Sequence, residues 1–399
     1  MGGEITWECN NQGRYIFTVK IYRDCNGVPL TGNLSLIAHN YPTVGQSNTS
    51  FQLTRQSIND ISATCGGSPC SPTNTRITTN VAGAVEEHVF TTAPQLLNGV
   101  PGVNGWIFTF TGPTRNNAVD NLTNPGGTNL LLRAKMFSFN GQNASTCYDN
   151  SPNFAEVPSS ILCTGDAFTY NHNAQDEELD SLVYSWAEPL AGVSGGLYIE
   201  ASNVRASFVN GYTFTSPFPS TFQNPNNVPA SLNTENGEIS YTSFTDGEFV
   251  SCVRVEAYRC GQKIAEVYRD IQTVLLSSAI CTPNDPPFIR APFESSPGVF
   301  NVYRDTVKAG DLVTFNLQVA DFPSATNPSA DSVRVFASGS QFGANFSNPN
   351  AGCLNPPCAT LSTSLPGTGF LAYQSVFNWQ TSCNPVSYTH LTLPTTPYV

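Results

Sequence analysis

In Gly13–Cys25, GRYIFTVKIYRDC, the residues Tyr15, Phe17, Val19 and Ile21 occupy alternate positions with polar or smaller residues between them. Side chains of a strand point to opposite faces with a period of two, so this spelling puts one apolar face on a core. The same rhythm runs through 105–112 (GWIFTFTG), 129–139 (NLLLRAKMFSF), 180–186 (DSLVYSW), 247–258 (GEFVSCVRVEAY), 263–276 (KIAEVYRDIQTVLL), 311–320 (DLVTFNLQVA) and 370–380 (FLAYQSVFNWQ). No segment keeps a 3.6-residue period for three turns with caps at its ends. Strands at this spacing, separated by Gly, Pro and Asn turns, predict an all-β chain of tandem Ig-like or cadherin-like β-sandwich domains.

Composition agrees. Among 399 residues there are 31 Gly and 29 Pro, and only 12% are charged, against a usual figure of about 25%. The hydrophobic share is 40%, which separates the chain from disordered sequences. Lysine occurs only at Lys20, Lys135, Lys263 and Lys308, and the net charge is −12. That balance speaks against nucleic acid as a partner. No run of 18 apolar residues is present, so direct membrane insertion is not expected. Twelve cysteines without a zinc-like C-x-x-C pair predict an oxidising compartment, extracellular or at the cell surface. Met1 reads as an internal methionine of a longer chain. Val386–Val399 (VSYTHLTLPTTPYV) departs from the style of the rest and reads as a non-native tail, similar to translated adapter sequence.

A phrase is written twice. CYDNSPNF (147–154) and CTPNDPPF (281–288) share C-x-x-N-x-P-x-F. Each is followed by a G-D-x-Φ-T-aromatic-N segment, GDAFTYNHNAQD (165–176) and GDLVTFNLQVAD (310–321), and then by DSLVY (180–184) or DSVRV (331–335). Three matches in order make an internal repeat. The octets read as stiff joints, because proline fixes φ and offers no donor to a neighbouring strand. Domains are then expected at 1–146, 155–280 and 289–385, with joints at 147–154 and 281–288.

Strand parity suggests disulfides. Cys9 is in phase with Ile5 and Trp7, and Cys25 with Phe17, Val19 and Ile21, which favours Cys9–Cys25. Cys65–Cys70 and Cys353–Cys358 enclose Gly/Pro turns and read as short-loop staples. Cys252 and Cys260 on one continuous strand would lie about 26 Å apart, against a Cα limit of about 7 Å, so they do not pair. The turn CGQK that Cys260 opens belongs at the entry end of its domain, which makes Cys163 or Cys147 its partner.

The chain carries no G-x-S-x-G, H-E-x-x-H, P-loop or G-x-G-x-x-G. His88 and His172 sit in strand patterns without a nucleophile beside them. The set that stands out is acidic. Asp176, Glu177, Glu178 and Asp180 crowd one turn; Asp149 and Asn150 sit in the first octet, Asn284 and Asp285 in the second. Ca²⁺ takes six to eight hard oxygen ligands, so Asp149, Asn150, Asp176, Glu178 and Asp180 form a candidate Ca²⁺ site, though without EF-hand spacing. The plainer alternative is ordinary polar turns. Trp106, Trp186 and Trp379 lie in strand patterns and read as core.

DNSPNF, QDEELDSLVYSW and LNTENGEISYTSFTDGEF give the middle domain a resemblance to cadherin-like and PKD-like modules, with Asn236-Gly237 where that pattern has Thr-Gly. Over nearly the whole chain to residue 385, GGEITWECNNQGRYIFTVKIYRDCNG, FAEVPSSILCTGDAFTYNHNAQDEELDSLVYSW and GCLNPPCATL resemble large secreted proteins of Bacteroidota, of the gliding-motility-associated kind exported by type IX secretion. The resemblance implies β-sandwich modules at the cell surface and a sorting domain elsewhere in the full-length chain.

The expected function is a non-enzymatic structural or adhesin-like module. Its partners would be the neighbouring domains of the same chain and an extracellular protein or polysaccharide. The alternative is a binding region accessory to a catalytic domain. A hydrolase within these residues would instead show a cleft with paired carboxylates of shifted pKa.

Overall fold

The computed structural model describes residues 2–25, 27, 29–30, 33–42, 48–61, 85–140, 147–158, 161–178, 180–194, 198–277, 287–303, 305–322, 332–335, 337, 341–353, 356–365 and 367–382. The described residues are all-β. They contain no α-helix and include short 3₁₀ turns such as Pro125–Gly127. Each stretch that alternates in the sequence forms a strand. The chain divides into two compact units, Met1–Cys281 and Thr282–Val399.

The first unit begins with β1 (Gly2–Cys9), β2 (Tyr15–Asp24), β3 (Leu34–His39), β4 (Thr49–Asp60), β5 (Val85–Thr92), β6 (Trp106–Thr114) and β7 (Asn129–Met136). These lie side by side in the order β1-β2-β5-β4-β3-β6-β7, all antiparallel. Tyr15, Phe17, Val19 and Ile21 are completely buried, as the alternation requires. They pack with Ile5, Trp106 and Phe108, each side chain contributing about 1.5–3 kcal/mol by leaving water.

The second half adds β8 (Asn153–Phe154), β9 (Ile161–Cys163), β10 (Ala167–Asn171), β11 (Ala174–Gln175), β12 (Ser181–Trp186), β13 (Leu190–Gly192), β14 (Val204–Arg205), β15 (Val228–Leu232), β16 (Glu238–Thr242), β17 (Gly247–Arg259) and β18 (Gln262–Leu276). The β10-β16-β15 sheet and the β12-β17-β18 strands share one core, with Ile239 and Tyr241 of β16 in the same cluster as Val253 and Val255 of β17. The long strand β18 joins this package to the first. One edge pairs with β17 throughout; the other pairs in turn with β7 at Ala265–Val267, with β1 at Asp270 and with β9 at Val274–Leu276.

This corrects the expected division into 1–146 and 155–280. A strand used by both halves leaves no free joint between them, and the buried core runs from Ile5 to Leu275. Residues 147–154 are an internal strap. Tyr148, Asp149, Ser151, Pro152 and Phe154 are buried. Ser151 N–H donates to the Trp7 carbonyl, Trp7 N–H to Ser151 Oγ and Cys9 N–H to Asn150 Oδ1. The two units divide between residues 281 and 282; of the second octet, 281–288, residues 281–286 lie outside the described residues.

The second unit holds β19 (Phe288–Ile289), β20 (Phe293–Ser296), β21 (Val299–Val302), β22 (Leu312–Ala320), β23 (Ser332–Val335), β24 (Thr360–Leu361), β25 (Gly367–Phe370) and β26 (Ala372–Gln380). A β19-β22-β26-β24 sheet and the β23–β25 pair enclose Leu317, Val333, Phe342 and Phe377. The repeat leaves a conformational mark across the two units. Gly165 and Gly310, the glycines of the two G-D pairs, have φ of 96° and 101°, a region that side chains avoid.

Cys353 and Cys358 are bonded, with Cα atoms 5.6 Å apart. Cys9 is bonded to Cys147, not to Cys25. The parity argument for Cys9–Cys25 neglected distance. Cys9 faces Tyr15 at the turn of the β1–β2 hairpin, and Cys25 lies ten residues farther along, about 33 Å away at strand rise. Cys25 and Cys163 are each disulfide-bonded. Cys260 is free and exposed, so neither Cys147 nor Cys163 is its partner; Cys252 is free and buried. The Cys65–Cys70 staple lies outside the described residues.

Candidate metal centre

Three local structures converge below the end of β1. The first is the strap, held by the Cys9–Cys147 bond and its hydrogen bonds to β1. It drives Asp149 inward until the residue is 0% exposed. The second is the acidic turn before β12. Asp176 Oδ1 accepts the Asp180 N–H at 2.9 Å, the local closure that suits aspartate to turns. The third is the end of β17, which delivers Arg259.

The strap and the turn are stitched to each other. Asn150 N–H donates to Glu178 Oε1 at 3.1 Å, and Asn150 Nδ2 donates to Glu177 Oε2 at 2.7 Å. Arg259 completes the group. Its Nε and Nη2 donate to Asp180 Oδ1 (2.9 Å) and Oδ2 (2.6 Å), Nη2 also reaches Asp149 Oδ1 (3.3 Å), and Nη1 donates to the Tyr148 carbonyl (2.5 Å). One carboxylate oxygen from each of Asp149, Glu178 and Asp180 lies within 4.8 Å of the others. Two oxygens on opposite sides of one Ca²⁺, each bonded at about 2.4 Å, would be separated by about 4.8 Å. The spacing therefore fits a single hard cation.

Charge is unbalanced. Four carboxylates, of Asp149, Asp176, Glu178 and Asp180, face one guanidinium. Asp149 Oδ2, Asp176 Oδ2 and Glu178 Oε2 are buried and accept no hydrogen bond, an arrangement that costs free energy unless something positive meets it. Burial, with the charges of Asp176 and Glu178 behind it, holds the Asp149 carboxyl well above the usual carboxylate range. Burial raises Asp176 to about 7, assisted by Asp180 and Glu178. Burial also raises Glu178. Burial, with the charges of Asp149 and Glu178, pushes the Tyr15 hydroxyl upward against backbone hydrogen bonds from Tyr148 and Asp149.

The structure thus gathers Asp149, Asp176, Glu178 and Asp180, with Asn150 bonded to their periphery. Asn284 and Asp285 lie outside the described residues. Sequence reasoning missed Arg259 and the Tyr148 carbonyl. The signal for both was the CGQK turn, placed at the entry end of the second half; its neighbour Arg259 does meet the strap there.

The two histidines are buried elsewhere. His172 contacts Phe154 and Tyr170 edge-on, and His88 stacks near Phe90. Trp106 is fully buried, while Trp186 and Trp379 pack partly buried against the two cores.

No protein-family model, curated protein or solved structure matches this chain. The disulfides indicate an oxidising environment, extracellular or periplasmic in kind. No helix among the described residues is long and apolar enough to cross a membrane.

Proposed function

We propose that this chain is a non-enzymatic, extracellular structural module, adhesin-like, from a larger surface protein of the Bacteroidota type. In this reading its first unit is locked by a divalent cation, Ca²⁺ by ligand chemistry. Its strand packages are Ig-like or cadherin-like, fused in the first unit through β18. The observation that carries the reading is Asp149. A carboxylate with 0% exposure, one oxygen without a partner and three acidic neighbours is stabilised by a cation and strained without one.

Paired carboxylates with raised pKa are also what a hydrolase would show. Complete burial of Asp149 argues for a structural role, because an acid or base must reach its substrate within hydrogen-bond distance. The accessory-binding alternative draws support from the second unit, where Phe288 and Phe322 are each more than half exposed with ring centroids 6.3 Å apart.

Calorimetry after dialysis against EDTA, and again with millimolar CaCl₂, tests the lock. A cation bound only by the folded state at 100 times its Kd adds about 2.7 kcal/mol, so the unfolding midpoint should rise by several degrees. A rise below about 1 °C would reject the reading.

A further inference from the structure

Resting on the cation reading, we propose that the guanidinium of Arg259 is a built-in occupant of the carboxylate cluster, and that a divalent cation binds by displacing it. The oxygens that accept no hydrogen bond are three, Asp149 Oδ2, Asp176 Oδ2 and Glu178 Oε2. That falls short of the six to eight that Ca²⁺ takes. Four further oxygens, both of Asp180, Asp149 Oδ1 and the backbone carbonyl of Tyr148, are held by Arg259. Releasing the side chain frees both oxygens of Asp180 and Oδ1 of Asp149, which with Asp149 Oδ2 and Glu178 Oε2 makes five from the three residues whose carboxylates lie within 4.8 Å of one another, one short of the six at which Ca²⁺ coordination begins. Keeping it there opposes the cation twice, by holding donors and by like charge.

The fold gives the side chain a way out and a place to go. Arg259 ends β17 beside a register shift at Ala257–Tyr258. Cys260, next in the chain, has φ of 50° and is exposed, and Gly261 has no atom within reach of an added Cβ. The Arg259 side chain is 20% exposed, whereas its partners Asp149 and Asp180 are 0% and 4%. Its guanidinium carbon already lies 5.5 Å from the centroid of the Phe139 ring, whose face attracts a cation. Arg259 therefore acts as a latch. It neutralises part of the cluster when no cation is bound and withdraws toward Phe139 when one arrives.

Isothermal titration of the full chain with CaCl₂ compares wild type with Arg259→Gln. The expected result is a Kd at least tenfold lower in the variant, together with a lower unfolding midpoint in EDTA. An equal or higher Kd in Arg259→Gln while wild type binds overturns the latch and leaves the cation reading standing. Binding by the variant alone supports the latch and rejects the cation lock of the native chain. Binding by neither rejects both. If Arg259→Gln fails to fold in EDTA and in CaCl₂ alike, Phe139→Leu decides: several-fold weaker Ca²⁺ binding supports the withdrawn seat, and an unchanged Kd overturns it.

Discussion

Glu4 Oε2 lies 2.7 Å from Nε of Arg269, and both side chains are 1% exposed. Arg269 also donates to the hydroxyls of Tyr22 and Tyr170 and to the Glu156 carbonyl, while the Tyr22 hydroxyl donates to Glu4. The pair joins the first strand of the unit to its last. Glu4→Gln would strand a buried guanidinium, so we expect a loss of about 3–5 kcal/mol. Denaturant titration of the full chain measures it. A loss under about 1 kcal/mol would show that the tyrosines alone satisfy Arg269.

Asp149→Asn should behave differently with and without cation. In EDTA the change removes a buried carboxyl whose charged form burial, Asp176 and Glu178 already disfavour, so stability should be unchanged or higher by about 1 kcal/mol. In CaCl₂ it removes a ligand, and most of the Ca²⁺-induced rise in midpoint should vanish. Equal Ca²⁺ responses in variant and wild type would remove Asp149 from the ligand set.

The Cys9–Cys147 bond closes a sequence separation of 138 residues. Replacing both by serine should cost about 2–5 kcal/mol. It should also weaken Ca²⁺ binding, because the strap that carries Asp149 is then anchored only by hydrogen bonds. Titration calorimetry on the double variant separates the two effects; intact Ca²⁺ affinity would show that the hydrogen bonds suffice.

Acid should act through His88. Burial, with Arg55 and Arg23 nearby, lowers its pKa to about 4, below the roughly 6.5 of an unfolded histidine. Glu86 Oε1 lies 3.3 Å from its Nε2 and does not reverse the shift. The sign follows from the depressed value. Between those two values the unfolded chain takes up the proton and the native one does not, so stability is full above about 6.5 and declines as pH falls toward 4. His88→Phe should remove on the order of 1–3 kcal/mol of that decline, read as the change in wild-type minus variant stability between pH 7 and 4.5. Parallel pH profiles would assign the acid sensitivity to other groups.

The strand pattern was legible because burial on one face imposes a period that few residues can violate. Tyr15, Phe17, Val19 and Ile21 spell it out. The acidic residues stood out because each short segment concentrates hard oxygen donors. The domain boundaries were not. The octet Cys147–Phe154 has the composition of an exposed linker, and only tertiary packing turns it into a buried strap. Nothing local in Gln262–Leu276 reveals that its outer edge serves β7, β1 and β9 in succession. Arg259 escaped notice because a cation beside a hairpin turn is common, and its partners lie 79 and 110 residues away in the chain.

The position of β1 has a consequence for how the molecule comes into being. Its outer neighbour is Asp270 of β18, near the far end of the same unit. As the chain is synthesised, β1 emerges well over two hundred residues before this closing partner. One edge of β1 must therefore wait, solvated and unpaired, until almost the entire unit has been delivered. Such distant pairing makes assembly slow and exposes the waiting edge to association with other chains.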